Sequence, residues 1–348
     1  MPSLRCSVLC CLALLSKTKG MIPLRSASTL SSQILHRVAV CNHSPSKPLI
    51  PFNLAESVNL DNPLGLVDEG VVATIVSSSP SSFAVSAGDG LVLTESTEAA
   101  QNAALAKASL ALRERGLIKA WRDELSPFVN SFSDITREYK SKGRYEGLVI
   151  ERGAAALFSC RGFGVHVNGY VKGETMADLK LWVGKRSEEK GVCPGMLDHI
   201  VAGGIPASHP LPSENVVKEC GEEAGIPEDI AEKAEAVGMI SYNGMDTWAW
   251  EGRIDQDGTG EGYKRDVLFC YDLEIPPDFV PKPVDGEVSG FELVGIEEVM
   301  KTFEAGRGVT ETYKANDYLV IADFLVRRGY VRPEDDDYTE IVQSLRVT

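Results

Sequence analysis

Three glutamates in one short segment could together hold a divalent metal ion. Glu219, Glu222 and Glu223 are spaced i, i+3 and i+4, so in an α-helix their carboxylates lie close together on one stripe. Like charges at this spacing destabilise a helix unless a cation neutralises them. Clustered carboxylate oxygens are hard ligands, which suit Mg²⁺ or Mn²⁺ better than Zn²⁺. On the helix alone, a solvated charged face is an equally good interpretation.

The sequence around the glutamates predicts where this helix begins and what precedes it. Ser213 is predicted as the N-cap, after Pro212, and Gly225 ends the helix. Gly203 and Gly204 precede the helix, after a short apolar run. Glycines there allow the backbone to approach a metal-bridged phosphate, and the Gly204 carbonyl can ligate the metal. This context favours a metal–phosphate site over a solvated charged face.

The charge of the chain is distributed unevenly. The net charge of the 348 residues is −15, yet residues 1–55 contain six Lys and Arg and no acid, so residues 56–348 carry −21. An acidic body repels nucleic acid and anionic membrane surfaces, and no apolar stretch reaches the roughly 18 residues that cross a bilayer. We therefore expect neither nucleic acid nor a membrane as a partner. An anionic phosphate ligand would need a cation, such as a divalent metal, beside it.

The basic, Ser-rich segment of residues 1–55 is typical of a targeting presequence. It predicts import into an organelle matrix, and plastid and mitochondrion are not separated by composition. The alternative is a disordered tail without an address, on a cytoplasmic protein. The cysteines of the body form no CxxC pair, so we expect reduced, mostly buried thiols.

Two folded units are predicted after this segment. Residues 56–145 are interpreted as a small α/β N-terminal domain, with a strand at 70–77, a helix at 97–115 and a charged linker at 140–144.

The second unit is predicted to span residues 150–335. Adjacent antiparallel strands are expected at 163–171 and 179–186, followed by the acidic helix, more strands and a closing helix at 317–329. This pattern predicts an α+β fold, an α/β/α sandwich with a mixed sheet. Residues 336–348 are interpreted as an acidic tail.

Residues 203–226, with the sequence GGIPASHPLPSENVVKECGEEAGI, resemble the Nudix box. That pattern is Gly, five residues, Glu, seven residues, then Arg-Glu-apolar-x-Glu-Glu-x-Gly-apolar. Gly204 takes the place of its first Gly, and the three glutamates take those of its core. Pro210 stands where the pattern has its first Glu, and Lys218 stands where it has Arg. Lys supplies a point charge in place of a bidentate fork.

The chain is similar, over about residues 60–335, to one branch of the Nudix superfamily. This branch contains the Nudix domain joined to fungal thiamin pyrophosphokinase and its stand-alone plant relatives. The resemblance is carried by FGVHVNGYV, LWVGKR, PGMLDHIVAGG, KECGEEAGIP, KRDVLFCYDLEIP, DGEVSGFELV and LVIADFLVRRGYVRP, and by LRERGLIKAWRDELSPF in the N-terminal unit. It implies a Nudix sandwich preceded by a small domain. It also implies metal-dependent hydrolysis of a diphosphate, thiamin diphosphate or its oxidised analogues, to the monophosphate.

The resemblance further implies roles for individual residues. Glu222 and Glu223 would be the principal ligands of Mg²⁺ or Mn²⁺, with Glu219 as a ligand or as the base. Lys218 would orient the carboxylates, and the Gly204 carbonyl would be a further ligand. Glu287, in the turn at residues 285–287, is interpreted either as an additional ligand or as a surface acid.

Substrate contacts are predicted outside the Nudix box. Lys185, Arg186 and Arg265 could meet the diphosphate or could be surface charges. Trp248 could stack on a pyrimidine or thiazolium ring or belong to the core. His166 and His199 are interpreted as core histidines.

Two alternatives to thiamin diphosphate hydrolysis stay open. One is a Nudix pyrophosphatase that acts on ADP-ribose or another nucleotide-type diphosphate. The other is a diphosphate-binding module without turnover, an interpretation that Pro210 and Lys218 keep open. The sequence also leaves a homodimer open.

Overall fold

The structure of the chain is a computed structural model. It describes residues 29–42, 44–45, 47–86, 88, 90–118, 120–190, 193–245, 262–304 and 312–347.

Helix α1 (Leu30–Cys41) lies within the segment predicted as a presequence. The hydroxyl of Thr29 caps it by accepting a hydrogen bond from the Ser32 backbone N–H at 3.3 Å. Ile34 and Val38 are fully buried in the C-terminal core. The prediction that residues 1–55 lie outside the folded body is therefore wrong for α1, because its apolar face packs inside that body.

The N-terminal unit is a four-stranded sheet with helices packed on it. Among the described residues the strand order is β2-β1-β4-β3, with β1 and β4 parallel. A cluster of stacked and edge-on rings from Phe52, Phe128 and Phe158 lies in its core. The elements of this part of the chain are β1 (Ile50–Leu54), β2 (Gly65–Val67), α2 (Glu69–Ser78), β3 (Phe83–Ser86), β4 (Gly90–Leu93), α3 (Glu98–Glu114), β5 (Leu125–Pro127), α4 (Phe132–Lys142) and β6 (Val149–Glu151). Helix α4 packs on the second unit, where Phe132 contacts Phe163 and Phe269.

Helix α3 confirms one prediction for this unit, and α2 contradicts another. Thr97 caps α3, and Gly116, with a φ of +71°, follows its end. The strand predicted at residues 70–77 is instead α2, which Asp68 caps through the Gly70 N–H at 2.8 Å. Its β-branched residues favour a strand locally, but the cap and the burial of one helical face outweigh that preference.

The linker predicted at residues 140–144 is the end of α4. This helix runs to Lys142 and ends at Gly143 in the left-handed conformation, with a φ of +73°. Past it, β6 pairs antiparallel with β5, and this two-stranded ribbon connects the two units of the chain.

The second unit is built on a mixed sheet, which has seven strands in the described residues. The path β11-β12-β7-β8-β13 is joined by β10, which pairs with β7, and β9, which pairs with β8. β7 and β12 are parallel, and β7 and β8 are antiparallel as predicted. The strands are β7 (Arg161–Val171), β8 (Lys180–Arg186), β9 (Leu197–Asp198), β10 (Val201–Gly204), β11 (Glu235–Met245), β12 (Tyr263–Glu274) and β13 (Val288–Gly295).

Helices cover both faces of this sheet, which confirms the α/β/α sandwich. Val165 and Val167 pack with the acidic helix on one face, whereas Tyr170 packs against the closing helix on the other. This alternation follows from the two-residue period of strand β7. The helices are α5 (Pro212–Ala224), α6 (Glu228–Ala231), α7 (Ile296–Lys301), α8 (Ala315–Arg327) and α9 (Tyr338–Ser344).

The predicted acidic tail is folded through most of its length. Helix α9 buries Ile341 completely, and Leu345 after it is also buried. Arg346 forms an ion pair with Asp323 of α8 at 2.7 Å. Residues 338–346 therefore belong to the core around α8.

No helix in the described part of the chain is long and apolar enough to span a membrane. The described cysteines are free thiols, and four of the five are buried, as the sequence predicts.

Candidate active site

Helix α5 begins at a proline and ends at a glycine. Pro212 occupies the first turn, and Gly225 ends the helix with a φ of +59°. The N-cap is Leu211, so the prediction of Ser213 as N-cap is wrong by two residues. Proline tolerates the first helical position because the backbone N–H that it lacks would be unbonded there.

The three glutamates of α5 lie together but in different environments. Glu223 is 7% exposed and accepts a hydrogen bond from the Ala202 backbone N–H at 3.0 Å. Burial raises the pKa of Glu223 well above its ordinary value, and burial also raises the pKa of Glu219. The Glu222 side chain is 54% exposed. The cluster thus extends from the protein interior to solvent.

Lys218 contacts two of these carboxylates. Its Nζ lies 2.6 Å from Glu222 Oε2 and 3.3 Å from Glu219 Oε1. This is the position expected of a residue that orients the carboxylates, although a lysine lacks the fork of an arginine.

The glycine pair before α5 leaves space for the Glu219 side chain. A Cβ on Gly203 would lie 2.6 Å from the Glu219 Cδ atom, so only glycine leaves this carboxylate where it is. The Gly204 carbonyl accepts a hydrogen bond from Asn215 Nδ2 at 3.0 Å. Asn215 is completely buried. It was not singled out in the sequence, where a polar residue on the apolar face of α5 was the available signal.

Glu287 lies near this cluster, in a turn that closes as the sequence predicts. Gly286 has a φ of +82°, and the Glu287 N–H donates to Asp285 Oδ1 at 2.8 Å. The Glu287 carboxylate forms an ion pair with Lys190. Its charge adds to burial in raising the pKa of Glu223.

The donor set fits a divalent metal. Within the described residues Glu223 is buried with a single hydrogen bond, which is an unfavourable state for a carboxylate without a counter-charge. Glu219 and Glu222 of the same helix and the Gly204 carbonyl of β10 offer further oxygen donors, and oxygen-only sets suit Mg²⁺ or Mn²⁺.

Two arginines of the N-terminal unit approach the cluster and were not predicted. The Arg152 guanidinium lies over Gly204, where an added Cβ would be 2.5 Å from Nη2. Arg122 is exposed, and its charge opposes burial in setting the pKa of Glu287. The segment WRDEL, which contains Arg122, was noted only for its resemblance to an accessory domain.

The described residues that were predicted to contact the substrate differ in exposure and in their hydrogen-bond partners. Lys185 is exposed on β8. Arg186 is instead fixed by Asp198 Oδ2 at 2.6 Å and by the Cys193 carbonyl at 3.1 Å. Arg265 is buried and donates to the carbonyls of Ser159 at 2.9 Å and Leu64 at 2.8 Å, so it joins β12 to the N-terminal unit. Trp248 lies outside the described residues.

A separate polar cluster is buried on the opposite face of the sheet. The Nδ1 atoms of His166 and His199 are 3.2 Å apart, and Asp317 Oδ1 lies 3.5 and 3.6 Å from them. Lys314 Nζ lies 3.2 Å from the same Asp317 oxygen and 3.1 Å from Asp198. Because this ammonium already supplies the compensating cation, the cluster is a buried charge network, which agrees with the prediction of core histidines.

The chain is similar in sequence to proteins of Arabidopsis thaliana and Saccharomyces cerevisiae. No family model matches the chain. The chain is 44% identical to Nudix hydrolase 20, chloroplastic, of Arabidopsis thaliana. The 235 aligned residues cover 68% of this chain and 55% of that protein. It is 41% identical over 235 residues to Nudix hydrolase 24, chloroplastic, of the same plant, covering 68% of this chain and 56% of that protein. An uncharacterised protein of Saccharomyces cerevisiae is 32% identical over 231 residues, which cover 66% of this chain and 61% of the yeast protein.

An α/β/α sandwich in which a glutamate-rich helix follows a glycine pair is the architecture of the Nudix class. Over the aligned residues, the chain resembles the two plant Nudix hydrolases at 44% and 41% identity. It matches a little over half the length of the two plant relatives.

Proposed function

We propose that the chain is a metal-dependent hydrolase that cleaves the diphosphate of thiamin diphosphate, or of an oxidised thiamin analogue, to the monophosphate. The observation that carries the hydrolase assignment is the placing of two acidic side chains against β10, with the buried Glu223 bonded to the Ala202 N–H and Glu219 packed on Gly203. The resemblance of the sequence segments to the thiamin-associated Nudix branch supports the choice of substrate.

In this proposal, Glu222, Glu223 and the Gly204 carbonyl would hold the metal, and Glu287 would add a further ligand. A Mg²⁺ or Mn²⁺ ion there would supply positive charge for the diphosphate and lower the pKa of water. Asn215 fixes the direction of the Gly204 carbonyl through one of its two lone pairs.

Glu219 is the proposed general base. Burial raises its pKa, which brings a carboxylate closer to the value suited to proton transfer at neutral pH. The Glu219 carboxylate takes a proton from the attacking water while the water oxygen bonds to phosphorus. The bridging P–O bond breaks, and its electron pair leaves on the second phosphate. Lys218 keeps Glu219 and Glu222 oriented throughout.

The hydrolase proposal is tested by replacing Glu222 with glutamine. We expect Glu222→Gln to lower kcat/KM by about 100-fold or more, because loss of a metal ligand removes most charge stabilisation in the transition state. The measurement is release of phosphate or monophosphate with Mg²⁺ from thiamin diphosphate, oxidised thiamin diphosphate, ADP-ribose and ADP. Glu214→Gln is the control, since Glu214 is an exposed residue of the same helix and loses the same charge.

Each outcome separates the alternatives. Equal rates for Glu222→Gln and wild type would remove Glu222 from the ligand set. Preference for ADP-ribose or ADP over both thiamin compounds would replace the substrate assignment. A wild-type protein that binds these diphosphates but turns over none of them would be a binding module.

We infer that the protein works in the plastid. The two plant relatives carry the word chloroplastic in their names. The first 28 residues of this chain are basic, Ser-containing and free of acids, as transit peptides are.

A further inference from the structure

The acidic cluster needs cations from the protein if an anionic diphosphate is to bind there. Residues 56–348 carry a net charge of −21, and one metal ion offsets only part of the local negative charge. The cations nearest in sequence already have partners. Lys218 pairs with Glu222 and Glu219, and Lys190 pairs with Glu287.

Arg152 reaches the cluster from the N-terminal unit. It follows β6, and its guanidinium lies over the glycine pair. A Cβ on Gly204 would be 2.5 Å from Nη2 and 2.6 Å from Cζ. Its Nη1 forms an ion pair with Glu124 Oε1 at 2.8 Å, and the two side chains are 41% and 35% exposed, so Arg152 reaches Gly204 through Nη2 while Nη1 is paired. The guanidinium is therefore beside the residue whose carbonyl is the proposed metal ligand.

Arg122 precedes strand β5 of the same ribbon, and its backbone N–H donates to the Glu151 carboxylate that also accepts from the turn after Arg152. Its guanidinium is exposed and has no hydrogen bond or ion pair within the residues that the structure describes. Partial burial lowers the pKa of Arg122, the charge of Arg152 lowers it further, and the charge of Glu287 acts in the opposite direction. Arg122 thus lies in the field of the proposed outer ligand.

The backbone fixes both arginines relative to the Nudix helix. Glu151 Oε1 accepts from the backbone N–H of Arg122 at 2.8 Å and of Gly153 at 3.1 Å, so one buried carboxylate holds both turns. The ribbon in turn bonds to the loop that leads into α5, through the Ala207 N–H and the Leu125 carbonyl at 2.8 Å.

We propose that Arg122 and Arg152 form an anion subsite of the N-terminal unit, which binds the phosphate oxygens of the diphosphate held at the acidic helix. This inference rests on the proposed function. Guanidinium groups suit the task because their donors match phosphate oxygens in pairs. The N-terminal unit is then part of the substrate site.

The test uses methylenediphosphonate, a diphosphate analogue that cannot be hydrolysed at its bridge, as the probe in saturating Mg²⁺. Isothermal titration calorimetry on the full chain measures its Kd. We expect Arg152→Gln and Arg122→Gln each to weaken binding about 10-fold or more, the size of one lost charged hydrogen bond. Arg152→Lys should fall between wild type and Arg152→Gln, since lysine keeps the charge and loses the fork.

Two controls separate recognition from folding. Arg137→Gln removes the same charge from an exposed residue of α4, and it should leave Kd unchanged within about 2-fold. Glu124→Gln removes the partner that pairs with Arg152 at 2.8 Å. If Arg152 only supports the fold, Glu124→Gln and Arg152→Gln should act alike. The proposal expects Glu124→Gln to keep or tighten binding, because it frees the guanidinium for phosphate.

The results distinguish this inference from the proposed hydrolysis. If wild type hydrolyses a diphosphate and Arg152→Gln binds the probe like Arg137→Gln, the subsite is overturned and the hydrolase stands. If wild type binds the probe through both arginines yet turns over no diphosphate, the subsite stands and the hydrolase is overturned. If wild type neither binds nor hydrolyses, both are overturned.

Discussion

The Lys314 ammonium connects two carboxylates that the protein buries beneath its sheet. It lies 3.1 Å from Asp198 and 3.2 Å from Asp317, and the Asp317 side chain is completely inaccessible. Burial acts to raise the pKa of Asp198, but Lys314 and Arg186 hold it well below its ordinary value, whereas burial raises the pKa of Asp317. Asp198 is thus the firmly ionised partner, and its charge depends on Lys314.

We predict that Lys314→Met lowers the free energy of unfolding by about 3 kcal/mol, because it leaves buried carboxylate charge without its cation. Denaturant unfolding at pH 7 measures the effect. Lys301→Met is the control, since its ion pair with Glu298 is exposed and should contribute less than about 1 kcal/mol. Adding Asp317→Asn to Lys314→Met should recover part of the loss. Equal stability of Lys314→Met and Lys301→Met would contradict the network.

At the residue scale, the sequence predicts the acidic cluster well and its cations poorly. Residues three or four apart are neighbours on a helix surface whatever surrounds them, so Glu222 and Glu223 could each be grouped with Glu219 from spacing alone. Arg186 and Arg265 are correctly seen as cations, but their partners are distant in sequence, and those partners decide their roles. Arg152 was overlooked for the same reason, since it meets Gly204 only after the chain folds.

At the scale of elements, the fit between β10 and α5 depends on a glycine. We predict that Gly203→Ala lowers kcat/KM by about 10- to 100-fold, because its Cβ would displace the Glu219 carboxyl from a distance of 2.6 Å. The Glu219 side chain is flexible enough to move, so stability should fall little.

Steady-state kinetics and thermal unfolding measure the two effects of Gly203→Ala. Gly221→Ala is the control, because a Cβ there meets nothing within 4 Å and lies on the same acidic helix. Gly221→Ala should keep its activity and gain stability of about 0.5–1 kcal/mol. A fully active Gly203→Ala would show that Glu219 does not need its present position.

Elements with strong periodicity and clear ends were predicted correctly, whereas elements decided by tertiary packing were not. The helix at α3 and the strands β7 and β8 follow their patterns. Helix α2 does not, because its run of β-branched residues resembles a strand until Asp68 caps it and Val71 and Ile75 are buried together.

At the scale of the whole molecule, α1 shows why composition could not place the start of the folded body. A basic, acid-free amphipathic helix satisfies the compositional signature of a presequence, and it equally well forms a helix packed on a core. Here Ile34 and Val38 are fully buried, and Arg37 donates hydrogen bonds to the carbonyls of residues 302–304. Contacts some 265 residues apart carry this information.

The packing of α1 on the core limits where an imported protein can be cut without loss of stability. A chain that begins at Thr29 keeps α1 and its cap, so it should be as stable as the full chain. A chain that begins at Lys47 loses α1. Because the side chains of Ile34, Val38 and Cys41 are buried, we expect its free energy of unfolding to fall by at most about 5 kcal/mol. Denaturant unfolding compares the two truncations. Mass spectrometry of the protein after import into isolated plastids should accordingly find a mature N-terminus at or before Thr29. A mature N-terminus beyond Cys41 would mean that the functional protein folds without this helix, and that α1 serves only the precursor.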